Sequence, residues 1–258
     1  MEILSIINLK GGVAKTISSI NIAHILATEH NKKVLIIDND KQGNTSKILN
    51  RYKSNSRGTN EILTISYTQE NILELIQNTD YENLDIITAN MSLLNANLQT
   101  ILDQTRPQHT RFKKALELIE SKKEYDYCII DNAPDINIST INALACSTII
   151  LIPVMIDDFA LDGLKELEEQ IETTKKELNE KIKYTGVFIT NYDRRNEADI
   201  QGALFLENLN YNLFNTKIRH TLKMKASTFE RKAILDYSNR CSASKDYKEL
   251  VKEILNIQ

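Results

Sequence analysis

Proline and glycine are scarce in this chain, at three and seven of 258 residues. Disordered and low-complexity chains draw on both, so the shortage excludes them and favours helices joined by short connections. Cysteine is as rare. Cys128, Cys146 and Cys241 are odd in number, widely spaced and in no C-x-x-C arrangement. Neither a disulfide framework nor a cysteine metal site is expected; the three read as buried apolar side chains in a reducing cytosol. Long hydrophobic runs are missing too. The longest, Thr148 to Ile156, is interrupted by Pro153 and falls far short of the roughly 20 residues that a spanning helix needs. The N-terminus opens directly as a strand, without a signal-peptide pattern. Nor does one sign of charge dominate: 32 Lys and Arg against 35 Asp and Glu leave −3. Any nucleic-acid contact therefore needs a local basic patch.

What is present is ordinary in bulk, with 41% apolar and 26% charged residues, and informative in order. Six apolar, β-branched runs punctuate the chain: EILSIIN (2–8), KVLIID (33–38), LDIITA (84–89), YDYCIID (125–131), STIILIPV (147–154) and YTGVFIT (184–190). Each is nearly continuous in apolar residues rather than alternating, the pattern of strands buried on both faces in a parallel sheet. Helical spacing occupies 18–30, 111–123 and 161–181. Strand–helix alternation of this kind predicts an α/β fold with a doubly wound, mostly parallel sheet flanked by helices. Residues 53–83 are polar and read as an irregular insertion with one short helix. No repeat or flexible linker divides the chain, so residues 1–258 are expected to form one domain.

The first strand leads into Leu9-Lys10-Gly11-Gly12-Val13-Ala14-Lys15-Thr16-Ile17. A phosphate cradle needs inward-pointing backbone N–H groups, hence glycines, and a helix N-terminus behind them. It also needs a lysine for the β- and γ-phosphates and a hydroxyl for Mg²⁺; Lys15 and Thr16 supply these. Leu9 and Ala14 break the strict Walker A pattern at its two glycine positions. KGGVAKTI is similar to the deviant Walker A motif, KGG-x-GK-S/T, of the ParA/MinD/NifH group of P-loop ATPases. The resemblance implies ATP and Mg²⁺ as cofactors, with the nucleotide held by residues 10–17. It also implies that Lys10 reaches across a nucleotide-sandwich homodimer to the partner subunit's phosphates.

Two acidic loops follow. The second strand ends in Asp38-Asn39-Asp40-Lys41-Gln42. Two carboxylates beyond a strand C-terminus suit one metal contact and one water-positioning group, or alternatively an N-cap for the segment near Thr45. The resemblance to the group's switch I, Asp-x-Asp-Pro-Gln, makes Asp40 the water-activating residue, which leaves Asp38 as the metal contact of the pair; Lys41 stands where the family has proline. YDYCIIDNAPDIN has the form of a Walker B segment, and Asp131 would hold Mg²⁺ beside Thr16. One proline, Pro134, remains of the family's Asp-x-Pro-Pro. The catalytic set is thus Lys10, Lys15 and Asp40, and the metal set Thr16, Asp38 and Asp131. Asn191, after the last strand, carries a donor and an acceptor able to read a base edge, or it serves a turn; adenine rests on the resemblance.

KIRHTLKMKASTFERK (217–232) holds six cations against Glu230. Lys217, Arg219, Lys223 and Lys225 either bind DNA phosphates without sequence preference or form a solvated face. ParA-type relatives use this surface for nucleoid DNA. The tail, 243–258, has apolar positions suited to packing rather than the basic amphipathic anchor of MinD-type relatives. The expectation is therefore a cytoplasmic, nucleoid-associated ParA-like partition ATPase, stimulated by a ParB-like centromere-binding protein and not bound to membrane. The rivals are a MinD-like membrane-associated positioning ATPase and a regulatory module that holds nucleotide with little hydrolysis.

Overall fold

The structure is a computed structural model that describes residues 1–68, 71–157, 160–209 and 211–257, without the side chains of 160–162. Among them, strands β1 (Glu2–Ile6), β2 (Val34–Asn39), β3 (Ile76–Asn78), β4 (Leu84–Ile87), β5 (Tyr127–Asn132), β6 (Ile149–Met155) and β7 (Tyr184–Thr190) build one sheet. The helices are α1 (Lys15–Thr28), α2 (Asn44–Ile48), α3 (Thr59–Thr64), α4 (Ser92–Leu102), α5 (Arg111–Glu120), α6 (Ile138–Leu144), α7 (Ala160–Glu177), α8 (Glu197–Glu207), α9 (Leu222–Phe229), α10 (Ile234–Tyr237) and α11 (Ser242–Leu255).

The sheet order is β3-β4-β2-β5-β1-β6-β7, parallel throughout except where β3 pairs antiparallel with β4. The chain leaves β1 toward β2 and later returns to β6 on the other side. This reversal at β1 opens a crevice at the strand C-termini, where doubly wound sheets place ligands. All six strands expected from sequence are present. The seventh, β3, is a three-residue edge strand, Ile-Gln-Asn, too short and too polar to show periodicity. Residues 53–83 hold α3, a 3₁₀ turn (Ile72–Leu75) and β3, more regular structure than the single helix expected.

The apolar runs fill both sides of the sheet. In β2, Val34 and Ile36 join α1 and α11, whereas Leu35 and Ile37 join Phe112, Leu116 and Ile119 of α5. Both faces being covered, the period-2 alternation of a strand disappears from the sequence. α1 lies in the sheet's core and is buried nearly all round, its polar residues included. Ser18 Oγ meets Tyr247 Oη at 2.9 Å, and Asn21 Oδ1 accepts the Ile234 N–H at 2.7 Å. α11 buries Tyr247, Leu250, Val251 and Ile254 against this helix. At roughly 1.5–3 kcal/mol for each fully buried side chain, detaching the tail would cost far more than a marginally stable fold can spare. It is core, as the sequence suggested. Among the described residues, no helix is long and apolar enough to cross a membrane.

Candidate nucleotide-binding site

The loop between β1 and α1 is fixed from both sides. Asn8 Nδ2 donates to the Pro153 carbonyl at 2.8 Å, and Asn8 Oδ1 accepts the Lys10 N–H at 2.9 Å. Val13 is buried, and its carbonyl accepts the Thr190 hydroxyl at 3.1 Å. Two residues turn the chain through the left-handed region: Gly12 at φ 79° and Ala14 at φ 68°. Ala14 is also the N-cap of α1, so this is the position where the related motif carries glycine for a conformational reason. Alanine there costs about 1–2 kcal/mol and removes no donor from the cradle.

Lys15 opens α1. Its side chain lies along the loop, and Nζ donates to the Lys10 carbonyl at 2.8 Å. Burial lowers its pKa, while Asp131, Asp40 and Asp135 pull it back up. A desolvated ammonium beside the unpaired N–H groups of a helix start is a site built for an anion. Behind it three hydroxyls converge on Asp131: Thr16 Oγ1 at 2.8 Å and Thr45 Oγ1 at 2.6 Å donate to Oδ2, and Ser19 Oγ at 3.1 Å donates to Oδ1. Burial raises the Asp131 pKa and these hydroxyls lower it. The arrangement is a hard oxygen cluster of the kind Mg²⁺ accepts. The cleft, with about 1260 Å³ of open space, is lined by Gly11, Gly12, Lys15, Thr16, Asp40 and Thr228 among others.

Asp38 departs from expectation. It is fully buried, and Oδ2 accepts both the Ser46 N–H (2.8 Å) and hydroxyl (2.6 Å), while Oδ1 accepts the Asp40 N–H at 3.2 Å. With its oxygens occupied it braces the loop and does not line the cleft. Asp131, the other carboxylate expected at the metal, is equally buried and also stands behind the cleft's lining. Asp40 does line the cleft; its Oδ1 accepts the Gln42 N–H at 2.9 Å. The β2 and β5 loops are stitched together by Asn39 Nδ2 on Asn132 Oδ1 (2.8 Å) and by Lys41 Nζ on the Asp135 carboxylate (3.7 Å). Lys10 Nζ is ion-paired within the same chain to Asp157, beyond β6. Ile17 flanks the cleft.

Asn191 sits exposed beyond β7 at φ 57°, its Oδ1 2.8 Å from His220 Nδ1 and its Nδ2 on Met155 Sδ. It is not among the cleft's lining. The four basic residues divide. Arg219 is locked on Asp246 by contacts of 2.6 to 3.1 Å, and Lys217 pairs with Glu207 at 2.8 Å. Lys223 Nζ donates to Ser238 Oγ at 3.0 Å, and Lys225 is exposed. Sequence reasoning missed Ser19, Thr45, Ser46 and Asp157. The only signal for the middle two was a pair of small hydroxylated residues just past Gly43, at the start of α2.

A model of the family described as an AAA domain matches residues 1–184. The chromosome partitioning protein ParA of Caulobacter vibrioides is 30% identical over 257 residues, 99% of this chain and 94% of that protein. The sporulation initiation inhibitor protein Soj of Bacillus subtilis is 33% identical over 256 residues, 98% of each. A putative plasmid partition protein of Borrelia burgdorferi, solved with AMPPNP, superposes with a TM-score of 0.77 at 25% identity, over 99% of this chain and 97% of that one. With the cradle, the buried lysine and the Thr16–Asp131 contact already in place, these likenesses establish that the chain belongs to the ParA-type P-loop ATPases.

Proposed function

We propose that the chain is a partition ATPase that binds Mg²⁺-ATP, closes into a sandwich homodimer, holds non-specific DNA in that state and is released when a centromere-binding partner stimulates slow hydrolysis. The observation carrying this reading is the convergence of Thr16, Thr45 and Ser19 on Asp131 behind the buried Lys15. In it, residues 11–17 cradle the phosphates, Lys15 neutralises the β- and γ-oxygens, and Thr16 with Asp131 holds Mg²⁺, which supplies charge neutralisation at the transferred phosphoryl group. Asp40 orients the attacking water. Lys10, released from Asp157, serves the partner subunit's nucleotide. Asn191, beyond β7, serves the base in this reading. Lys223 and Lys225 carry DNA contact, with Lys217 and Arg219 contributing less because carboxylates already hold them. The whole chain acts as one unit in the cytoplasm, on the nucleoid. The buried tail helix gives the membrane-anchored alternative no support.

The test is light scattering and retention on random duplex DNA, each with ATP and with ADP, for the native chain and Lys10→Ala. ATP-dependent dimers and retention are expected of the native chain, and neither of the variant. A variant that dimerises and turns over ATP normally refutes the trans role of Lys10.

A further inference from the structure

A second cavity, with about 620 Å³ of open space, lies between α3, α5 and the segments that follow α3 and α4, and it shares no lining residue with the nucleotide cleft. Its walls are apolar: Ile62 and Ile65 from the α3 side, Ala115 and Leu118 from α5. Its charged lining among the described residues is cationic, with Arg106, Arg111 and Lys114 and no carboxylate. Arg111 is buried, its side chain only 5% exposed. A guanidinium so far from water needs a counter-charge. Among the described residues that counter-charge is Asp103, whose Oδ2 lies 2.9 Å from Arg111 Nη2 and is shared with Arg106 Nε and Nη2 at 3.1 and 3.0 Å. Other donors of the two arginines are turned onto the end of α3: Arg111 Nη1 onto the Leu63 carbonyl, and Arg106 Nη2 onto the Thr64 carbonyl at 2.8 Å. These bonds hold the guanidiniums in place but cancel no charge. Glu61, which accepts the Tyr67 hydroxyl at 2.6 Å, is itself paired with Arg57 at 2.7 Å. Burial first, then Arg106, lowers the Arg111 pKa against the pull of Asp103, the mark of cations crowded around too little negative charge. Lys114 stands exposed at the rim with no ion-pair partner among the described residues.

We infer that this cavity binds a small amphipathic anion, a carboxylate on an apolar body of about eight carbons, of the kind a medium-chain fatty acid supplies. Ile62, Ile65, Ala115 and Leu118 take the chain, while Lys114 and the excess charge of the Arg106–Arg111 pair take the head. An inorganic anion alone would leave the apolar walls against water. An uncharged hydrocarbon would leave the cations unmatched. One molecule therefore carries both parts. No residue of the nucleotide cleft takes part, so the site stands apart from the ATPase reading above.

The probe is sodium octanoate, titrated into the full chain by calorimetry and followed by ligand-observed NMR. One saturable site per chain is expected, and it should persist with Mg²⁺-AMPPNP present. Butanoate and octan-1-ol should each bind about tenfold more weakly or worse, the first for lost apolar burial and the second for the lost charge. Ile65 and Lys114 are exposed, so Ile65→Asp and Lys114→Glu should keep the native thermal melt. Each should weaken octanoate about tenfold at low salt, whereas Lys114→Arg should change it by less than about twofold. Octan-1-ol binding as tightly as octanoate, displacement by AMPPNP, or unchanged affinity in both Ile65→Asp and Lys114→Glu overturns the inference. So does uptake of several octanoates per chain that neither variant reduces, which is adventitious detergent binding only.

Discussion

Lys15, at the end of the loop after β1, and Arg219 with Lys217, ahead of α9, hold their charges in opposite ways. Lys15 is buried, its Nζ donating among the described residues to a backbone carbonyl, and the carboxylates around it act from a distance. Arg219 and Lys217 are matched in contact by Asp246 and Glu207. A desolvated charge held short of its counter-ions retains binding energy for a ligand. A charge closed on a neighbouring carboxylate has already spent it on the fold. Motif density in the sequence treats the two regions alike; only the positions of the acids separate them.

The largest expected effect comes from removing the carboxylate that organises the first region. Asp131→Ala leaves Thr16, Thr45 and Ser19 without their shared acceptor in a buried place. Stability should fall by about 2–4 kcal/mol, and Mg²⁺-dependent nucleotide affinity should drop at least a hundredfold. Denaturant titration and calorimetry with and without Mg²⁺ check both. Unchanged Mg²⁺ dependence would move the metal away from Thr16.

A pH effect of comparable size comes from Asp38. Burial first, then the nearby Asp131, push its carboxyl up to about 7, against hydrogen bonds from Ser46 and Asp40. The folded chain therefore keeps a proton that the unfolded chain releases near the ordinary value of 3.8. The stabilisation is complete below that value and is lost as pH rises toward 7, at about 1.4 kcal/mol for each unit traversed. Nucleotide-free native protein should thus lose stability between pH 4 and 7 relative to Asp38→Asn, whose profile should be flatter. Parallel profiles from denaturant titration would show that Asp38 is charged throughout.

The sheet and the cradle were legible in the sequence because each rests on a short contiguous pattern. A doubly covered strand is a run of β-branched residues, and a phosphate loop is glycine, lysine and threonine in order. What escaped depends on contacts between distant segments. Asp38 and Asp40 look equivalent in the chain, and only the approach of Ser46 turns one inward. Asp246 lies 27 residues from Arg219, so nothing local warned that the arginine was paired. Asp157 faces Lys10 only because β6 lies beside β1. β3 went unseen because an edge strand of three residues has no pattern to read.

The basic segment offers a direct test of the contrast. Arg219→Ala should cost about 1–2 kcal/mol, because it strands Asp246, a carboxylate with 11% side-chain exposure. Its effect on the salt dependence of DNA retention should be slight. Lys223→Ala with Lys225→Ala should leave the melt unchanged within about 0.5 kcal/mol and lower the slope of log affinity against log salt by about two. The reverse outcome would make Arg219 the DNA contact and dissolve the distinction.

The smallest effect concerns Ala14. It sits in the left-handed region at φ 68°, ψ 27°, where a β-carbon crowds the neighbouring carbonyl and glycine has no such penalty. Glycine also loses more chain entropy on folding, and this offsets part of the gain. Ala14→Gly should therefore stabilise the nucleotide-free chain by somewhat under 1 kcal/mol, read by denaturant titration. Nucleotide affinity should stay within about threefold, because the N–H groups, Lys15 and Thr16 that face the cleft are unchanged. A much larger rise in affinity would mean that alanine holds the loop away from its binding geometry. The strain would then lie on the binding step rather than in the resting fold.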